Sequence, residues 1–175
     1  MKKMTFLEYQ KEAIKTRVGS ADNEEYLTLG LLAEVGEVAD KLAKRKRDGV
    51  FDDKAFVKEL GDVLWFVANL ADYWDKNGDP IEYPDDISEE LEAGWSRYSD
   101  GFGDDVSNTK ALAFWASAVV FDAVVAVDGL YQLVARLVAL AKLHGYTLEQ
   151  VAEINIAKLR DRQARGVLQG NGDER

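Results

Sequence analysis

A chain of 175 residues, 47% apolar and 31% charged, has enough material for one soluble domain with a sizeable core. Ala and Leu are the commonest residues and proline occurs only twice, which favours helix over sheet; the absence of cysteine excludes disulfides, zinc ribbons and thiol nucleophiles. A net charge of −10 lacks the basic footprint of a general nucleic-acid binder, but it does not exclude a small phosphorylated ligand, because bound divalent cations invert the sign of an acidic pocket.

Met1-Lys2-Lys3-Met4 leads into Thr5-Phe6-Leu7-Glu8, which has the form of a capping box rather than an apolar leader, so a cytoplasmic protein is expected. The first helix should run to about Thr16 and carry Phe6, Tyr9, Gln10, Ala13 and Ile14. Gly19, Ser20, Asp22 and Asn23 make a turn-rich loop. The second helix should extend from roughly Glu24 to Asp48 and stop at Gly49. Its last turns hold Lys41, Lys44, Arg45, Lys46 and Arg47, read as a solvated face well placed at a helix C-terminus, with one or two of its cations as alternative phosphate contacts.

Within this helix Glu34-Val35-Gly36-Glu37 sets two carboxylates three residues apart, on one face, amid Leu31, Leu32, Val35, Val38 and Leu42. Lys41 stands four residues after Glu37, the spacing of a surface ion pair. The third helix should start at Asp52 or Asp53 and reach about Asp75, and Glu59-Leu60-Gly61-Asp62 repeats the pattern among Val63, Leu64, Phe66 and Val67. A single pair of this kind is common on a solvated helix. Two pairs on consecutive helices, each interrupting an apolar stripe, point to convergence. Like charges that close do not all stay ionised without a cation, and four oxygen donors suit Mg²⁺ or Mn²⁺ rather than zinc. Asn69 continues the polar stripe, with Trp65 and Phe66 beside it. The spacing fits a core tryptophan and a surface amide as well as it fits a nucleobase pocket.

From Lys76 to Asn108 the periodicity weakens, with one short helix expected over Ser88 to Ser96. Asp75-Lys76-Asn77-Gly78-Asp79 mimics the opening of a calcium loop, but Pro80 replaces the required glycine and Asp86 the closing glutamate, so a turn is expected. Residues 109–127 and Leu130 to Leu143 are highly apolar, yet Lys110, Asp122, Asp128 and Arg136 interrupt them too often for a membrane span. Helices apolar on most sides belong in a core or at a subunit interface, so a homo-oligomer is expected, as a dimer or a dimer of dimers. His144-Gly145 closes that stretch, with the histidine suited to a helix end. Thr147-Leu148-Glu149-Gln150 opens the last helix, to about Ala164. There Asn155, Lys158 and Arg162 share a face, either as phosphate contacts or as a solvated stripe; from Gly166 onward the composition reads as loop.

Taken together, these features resemble the MazG-like branch of the all-α nucleoside triphosphate pyrophosphohydrolases. The family pattern E-x-x-E, spacer, E-x-x-D is matched by Glu34, Glu37, Glu59 and Asp62. The segments 30–40 and Lys58-Glu59-Leu60-Gly61-Asp62-Val63-Leu64-Trp65 look like the family's core, as do Glu8-Tyr9-Gln10 and the run from Asn155 to Arg162. The resemblance covers roughly residues 5–72 and 143–173. It implies an all-α antiparallel helical bundle, a single domain over 1–175 with a mostly helical insertion at about 73–142. That insertion departs from compact members: it replaces a partner subunit's contacts, caps the pocket or adds an interface.

The implied activity is Mg²⁺-dependent cleavage of a (deoxy)nucleoside triphosphate between its α and β phosphates, with Mn²⁺ as a substitute. Glu34, Glu37, Glu59 and Asp62 would be catalytic and hold metal, and Asn155, Lys158 and Arg162 would bind phosphate. Gln10, Trp65 and Asn69 would contact the base. Two alternatives stand beside this reading. One is a non-catalytic helical interaction module; the other is the same site acting on a diphosphate or an alarmone.

Overall fold

A computed structural model describes residues 3–78, 87–88, 91–92, 103–121 and 125–168. The described residues form six α-helices and no strand: α1 Phe6–Ile14, α2 Glu24–Asp48, α3 Asp53–Asn77, α4 Asp105–Phe121, α5 Ala126–Leu143 and α6 Leu148–Ala164. A single 3₁₀ turn, Gly19–Ala21, lies between α1 and α2.

The helix ends follow local chemistry. Thr5 Oγ1 accepts the Glu8 amide while the Glu8 carboxylate accepts the Thr5 amide, and Thr147 and Gln150 repeat this reciprocal cap on α6. Asn23 caps α2 through the Tyr26 amide, and Gly49, at φ 73°, ends the helix in the left-handed conformation. Asp52, rather than Asp53, caps α3 by accepting from Lys54 and Ala55. Such caps contribute about 1 kcal/mol each. Burying one leucine or phenylalanine contributes about 1.5–3 kcal/mol, so packing, not capping, decides the arrangement.

The long helices α2 and α3 are joined through residues 49–52 and form an antiparallel hairpin. Helix α3 is the centre of the molecule, with α1, α2, α5 and α6 all packed against it. Phe56, Leu60, Leu64, Val67, Leu70 and Ala71 on α3 are fully buried, and even its polar Glu59, Asn69 and Asp72 are largely covered. Helices α4 and α5 pack on each other, α4 leaning on α2 and α5 on α3. Gly129 permits that contact, since a Cβ there would lie 2.4 Å from Val119 Cγ2. The outer face of α4 nevertheless exposes Phe114 and Phe121, at 64% and 82%. No helix among the described residues is long and apolar enough to cross a membrane.

Ile87, Ser88, Leu91 and Glu92 are helical, and the rest of the short helix expected over 88–96 lies outside the described residues. Ile87 and Leu91 are buried. Glu92 accepts the Leu7 amide at 2.8 Å, and Ser88 accepts from Gln10 at 2.7 Å. Asp75, the first residue of the calcium-loop mimic, accepts the amides of Ile87 and Ser88 and the Ser88 hydroxyl, so it caps this segment; the window's last residues, 79–86, lie outside the described residues.

Candidate functional site

The α2–α3 hairpin brings its acids to one place. With Val35, Val38, Leu42, Leu60 and Val63 directed into the core, the intervening carboxylates are left on a shared rim. Glu34, Glu59 and Asp62 each offer an oxygen, and these three oxygens lie within 4.8 Å of one another. Glu37 is exposed; it lines the adjoining cleft but stands outside this three-carboxylate group.

Neighbouring helices supply the counter-charges. Lys41, one turn past Glu37 on α2, reaches Glu59 Oε1 at 3.0 Å. Lys158 of α6 contacts both oxygens of Asp62. Asn155, also on α6, donates to Asp62 Oδ1 at 3.0 Å and accepts from the Tyr9 hydroxyl at 2.8 Å. Burial first, and the Asp62 charge second, push the Tyr9 hydroxyl well above its ordinary range, so it stays a donor. The close approach of α6 depends on Gly61: a Cβ there would meet Asn155 Cβ at 2.9 Å. Glu34 is pushed up to about 8, by burial first and then by Asp62, Glu37 and Glu59, against the opposing pull of Lys158. A proton on Glu34 and two lysines therefore balance the cluster. Three clustered carboxylate oxygens fit a hard divalent cation in donor type.

Beside the acids a cleft opens, walled by the rings of Tyr26, Trp65 and Phe66 and faced from α6 by Arg162. Trp65 and Phe66 meet edge to face at 4.8 Å, and Tyr26 lies 5.8 Å from Phe66. Gly30 makes room for this wall, since a Cβ there would fall 2.2 Å from the Phe66 ring. Trp65 Nε1 donates to Thr16 Oγ1 at 2.9 Å. Thr16, Val18 and Ala21 complete the rim. Their loop is pinned by Arg17, whose guanidinium holds Asp72 at 2.6 Å, Asp22 at 3.3 Å and the Asn69 carbonyl at 3.1 Å.

Of the residues expected at the site, Glu34, Glu37, Asp62, Trp65 and Arg162 line the cleft, and Glu59 joins the acid group. Asn155 and Lys158 turn toward Asp62. Asn155 is 1% exposed, so its contact is with the carboxylate and not with the cleft. Gln10 and Asn69, expected against a base, are placed elsewhere. Gln10 is buried and donates to the Ala68 carbonyl and Ser88, tying α1 to α3. Asn69 is fully buried, its amide donates to the Trp65 carbonyl, and its Oδ1 meets no hydrogen-bond donor among the described residues. The Gln10 amide joins two helices because α1 covers this end of α3, whereas the Asn69 amide bonds within its own helix. Sequence reasoning passed over Tyr26, whose signal was a stripe: Tyr26, Gly30 and Glu34 recur at i, i+4 and i+8 on α2. It read Lys41 as part of the solvated run and as a surface partner of Glu37, and did not anticipate its contact with Glu59.

Fold and site together present, among the described residues, an all-helical arrangement with a three-carboxylate cluster beside an aromatic cleft. Residues 22–91, which contain α2, α3 and all four acids of the motif, are similar to the MazG nucleotide pyrophosphohydrolase domain. Gene 37 protein of Mycobacterium phage L5 is 42% identical over 71 residues, which cover 36% of this chain and 62% of that protein. The matched part thus spans less than two thirds of that relative. No solved structure matches the chain.

Proposed function

We propose that the cleft hydrolyses (deoxy)nucleoside triphosphates to the nucleoside monophosphate and pyrophosphate, with Mg²⁺ as cofactor and Mn²⁺ as its substitute. The observation that carries this reading is the meeting of Glu34, Glu59 and Asp62 beside an aromatic cleft faced by Arg162, inside the MazG-matching region. Glu34, Glu59 and Asp62 would hold the cation. When bound, it supplies neutralisation of the phosphates and acidification of a coordinated water.

The chain's own groups provide the rest. Glu37 or Glu34, both of which line the cleft, would take a proton from the attacking water. The water oxygen bonds to phosphorus, the α–β P–O bond breaks and the bridging oxygen leaves with pyrophosphate. Arg162, and Lys158 once released from Asp62, are the cations available to the phosphates. Trp65, Phe66 and Tyr26 offer faces and edges on which a base can stack. Self-association as a homo-oligomer, through the apolar outer face of α4, belongs to the same proposal.

The test is a panel of ribo- and deoxynucleoside triphosphates with Mg²⁺ and then Mn²⁺, with the products identified. Metal-dependent pyrophosphate release is expected. Orthophosphate release would indicate another phosphorylated substrate, and no release from any nucleotide would favour an interaction module.

A further inference from the structure

Two of the three clustered carboxylates already hold an ammonium group. Lys41 lies 3.0 Å from Glu59 Oε1, and Lys158 contacts both oxygens of Asp62. Both pairs are sheltered, the Glu59 side chain being 11% and the Lys158 side chain 18% exposed. An oxygen that keeps an ammonium cannot also take a divalent cation at coordination distance without bringing two positive charges within a few ångströms of each other. A cation at that carboxylate therefore works against the ammonium beside it. Lys41 has a way out, because its side chain is 32% exposed on the flank of α2, whereas Glu59 is fixed from beneath by the buried neighbours Leu60 and Val63.

We propose that Lys41 is a resident counter-ion of the metal centre: it neutralises Glu59 in the metal-free protein, competes with the divalent cation for that carboxylate and so sets how tightly the cation binds. The inference rests on the metal reading given under Proposed function. It concerns the free protein's electrostatics rather than the chemical step, so binding measurements test it. Lys158 stands in the same relation to Asp62, but it also belongs to the proposed phosphate contacts; Lys41 separates the two roles.

The experiment is calorimetric titration of the metal-free full chain with Mg²⁺, and with Mn²⁺ in parallel, for wild type, Lys41→Met, Lys41→Gln and Lys41→Arg. Melting temperatures are recorded with and without saturating metal. Lys41→Met and Lys41→Gln should each tighten the Kd by roughly three- to tenfold, the scale of a partly exposed ion pair lost from the competing state. They should lower Tm only in the metal-free protein, and Lys41→Arg should stay near wild type. An unchanged or weakened Kd in Met and Gln variants overturns the inference. So does an equal fall in Tm with and without metal, which would make Lys41 only a brace between α2 and α3. If wild type binds neither ion, the metal reading itself fails and this inference falls with it, an outcome distinct from a wild type that binds and a variant that binds no better.

Discussion

Glu34 is the residue whose state depends most on what else occupies the cluster. Its carboxyl is held at about 8 against an ordinary 4.5, so between those pH values the folded metal-free chain keeps a proton that the unfolded chain has released. Stability contributed by that proton is complete at low pH and is lost as pH rises through about 8. Glu34→Gln, which keeps the shape and removes the titration, should flatten the fall in metal-free Tm across this window and raise Tm at its alkaline end. The same variant should bind Mg²⁺ more weakly. Thermal scans at a series of pH values, with and without Mg²⁺, read both effects; a metal-free Tm profile as steep as wild type would contradict the assignment of the proton to Glu34.

At the scale of elements, the α3–α6 contact makes Asp62 a positioned group rather than a loose surface acid. Gly61 lets Asn155 close on it, and Tyr9 holds Asn155 from the other side. Gly61→Ala favours the helix by propensity, by up to about 1 kcal/mol. It also drives a Cβ to 2.9 Å from Asn155 on a helix that cannot slide freely, and overpacking of that kind costs about 1–3 kcal/mol. The steric effect should win. The variant should lose about 1–2 kcal/mol in denaturant unfolding, and its Mg²⁺ affinity should fall with it as Asp62 is displaced. Stability equal to or above wild type would show that α6 yields.

These elements also mark the limits of what a sequence discloses. Capping boxes at Thr5 and Thr147 and the acid pairs were legible, because each is a pattern within a few residues of one helix. The meeting of Glu34 with Glu59 and Asp62 was inferable from two such patterns in succession. The partners of Lys41, Gln10 and Asn69 were not. The Glu59 contact of Lys41 and the contacts of Gln10 are decided by what crosses at that height, α3 for Lys41 and α3 with Ser88 for Gln10, while Asn69 bonds back to Trp65 on its own helix. Periodicity gives the face a side chain occupies, not the neighbour it meets there.

For the whole molecule, the α4–α5 hairpin covers α2 and α3 with its inner side but leaves Phe114 and Phe121 outward, and Leu29 on α2 is 64% exposed as well. Apolar surface of that kind on a chain of net charge −10 is consistent with the proposed self-association. Phe114→Glu combined with Phe121→Glu should shift the chain toward monomer in light scattering after size exclusion, with little change in the helical signal. An unchanged mass for the double variant would place any interface elsewhere.

The hydrogen bonds from Gln10 to Ser88 and from the Leu7 amide to Glu92 carry a further consequence for the chain's architecture. The middle segment is not a detachable ornament on a shorter ancestor-like bundle. Excising it would deprive the Leu7 amide of its side-chain acceptor, take one of two acceptors from Gln10 and remove Ile87 and Leu91 from the hydrocarbon interior at one stroke. Any trimmed version of this protein has to redesign the underside of its first helix together with the deletion.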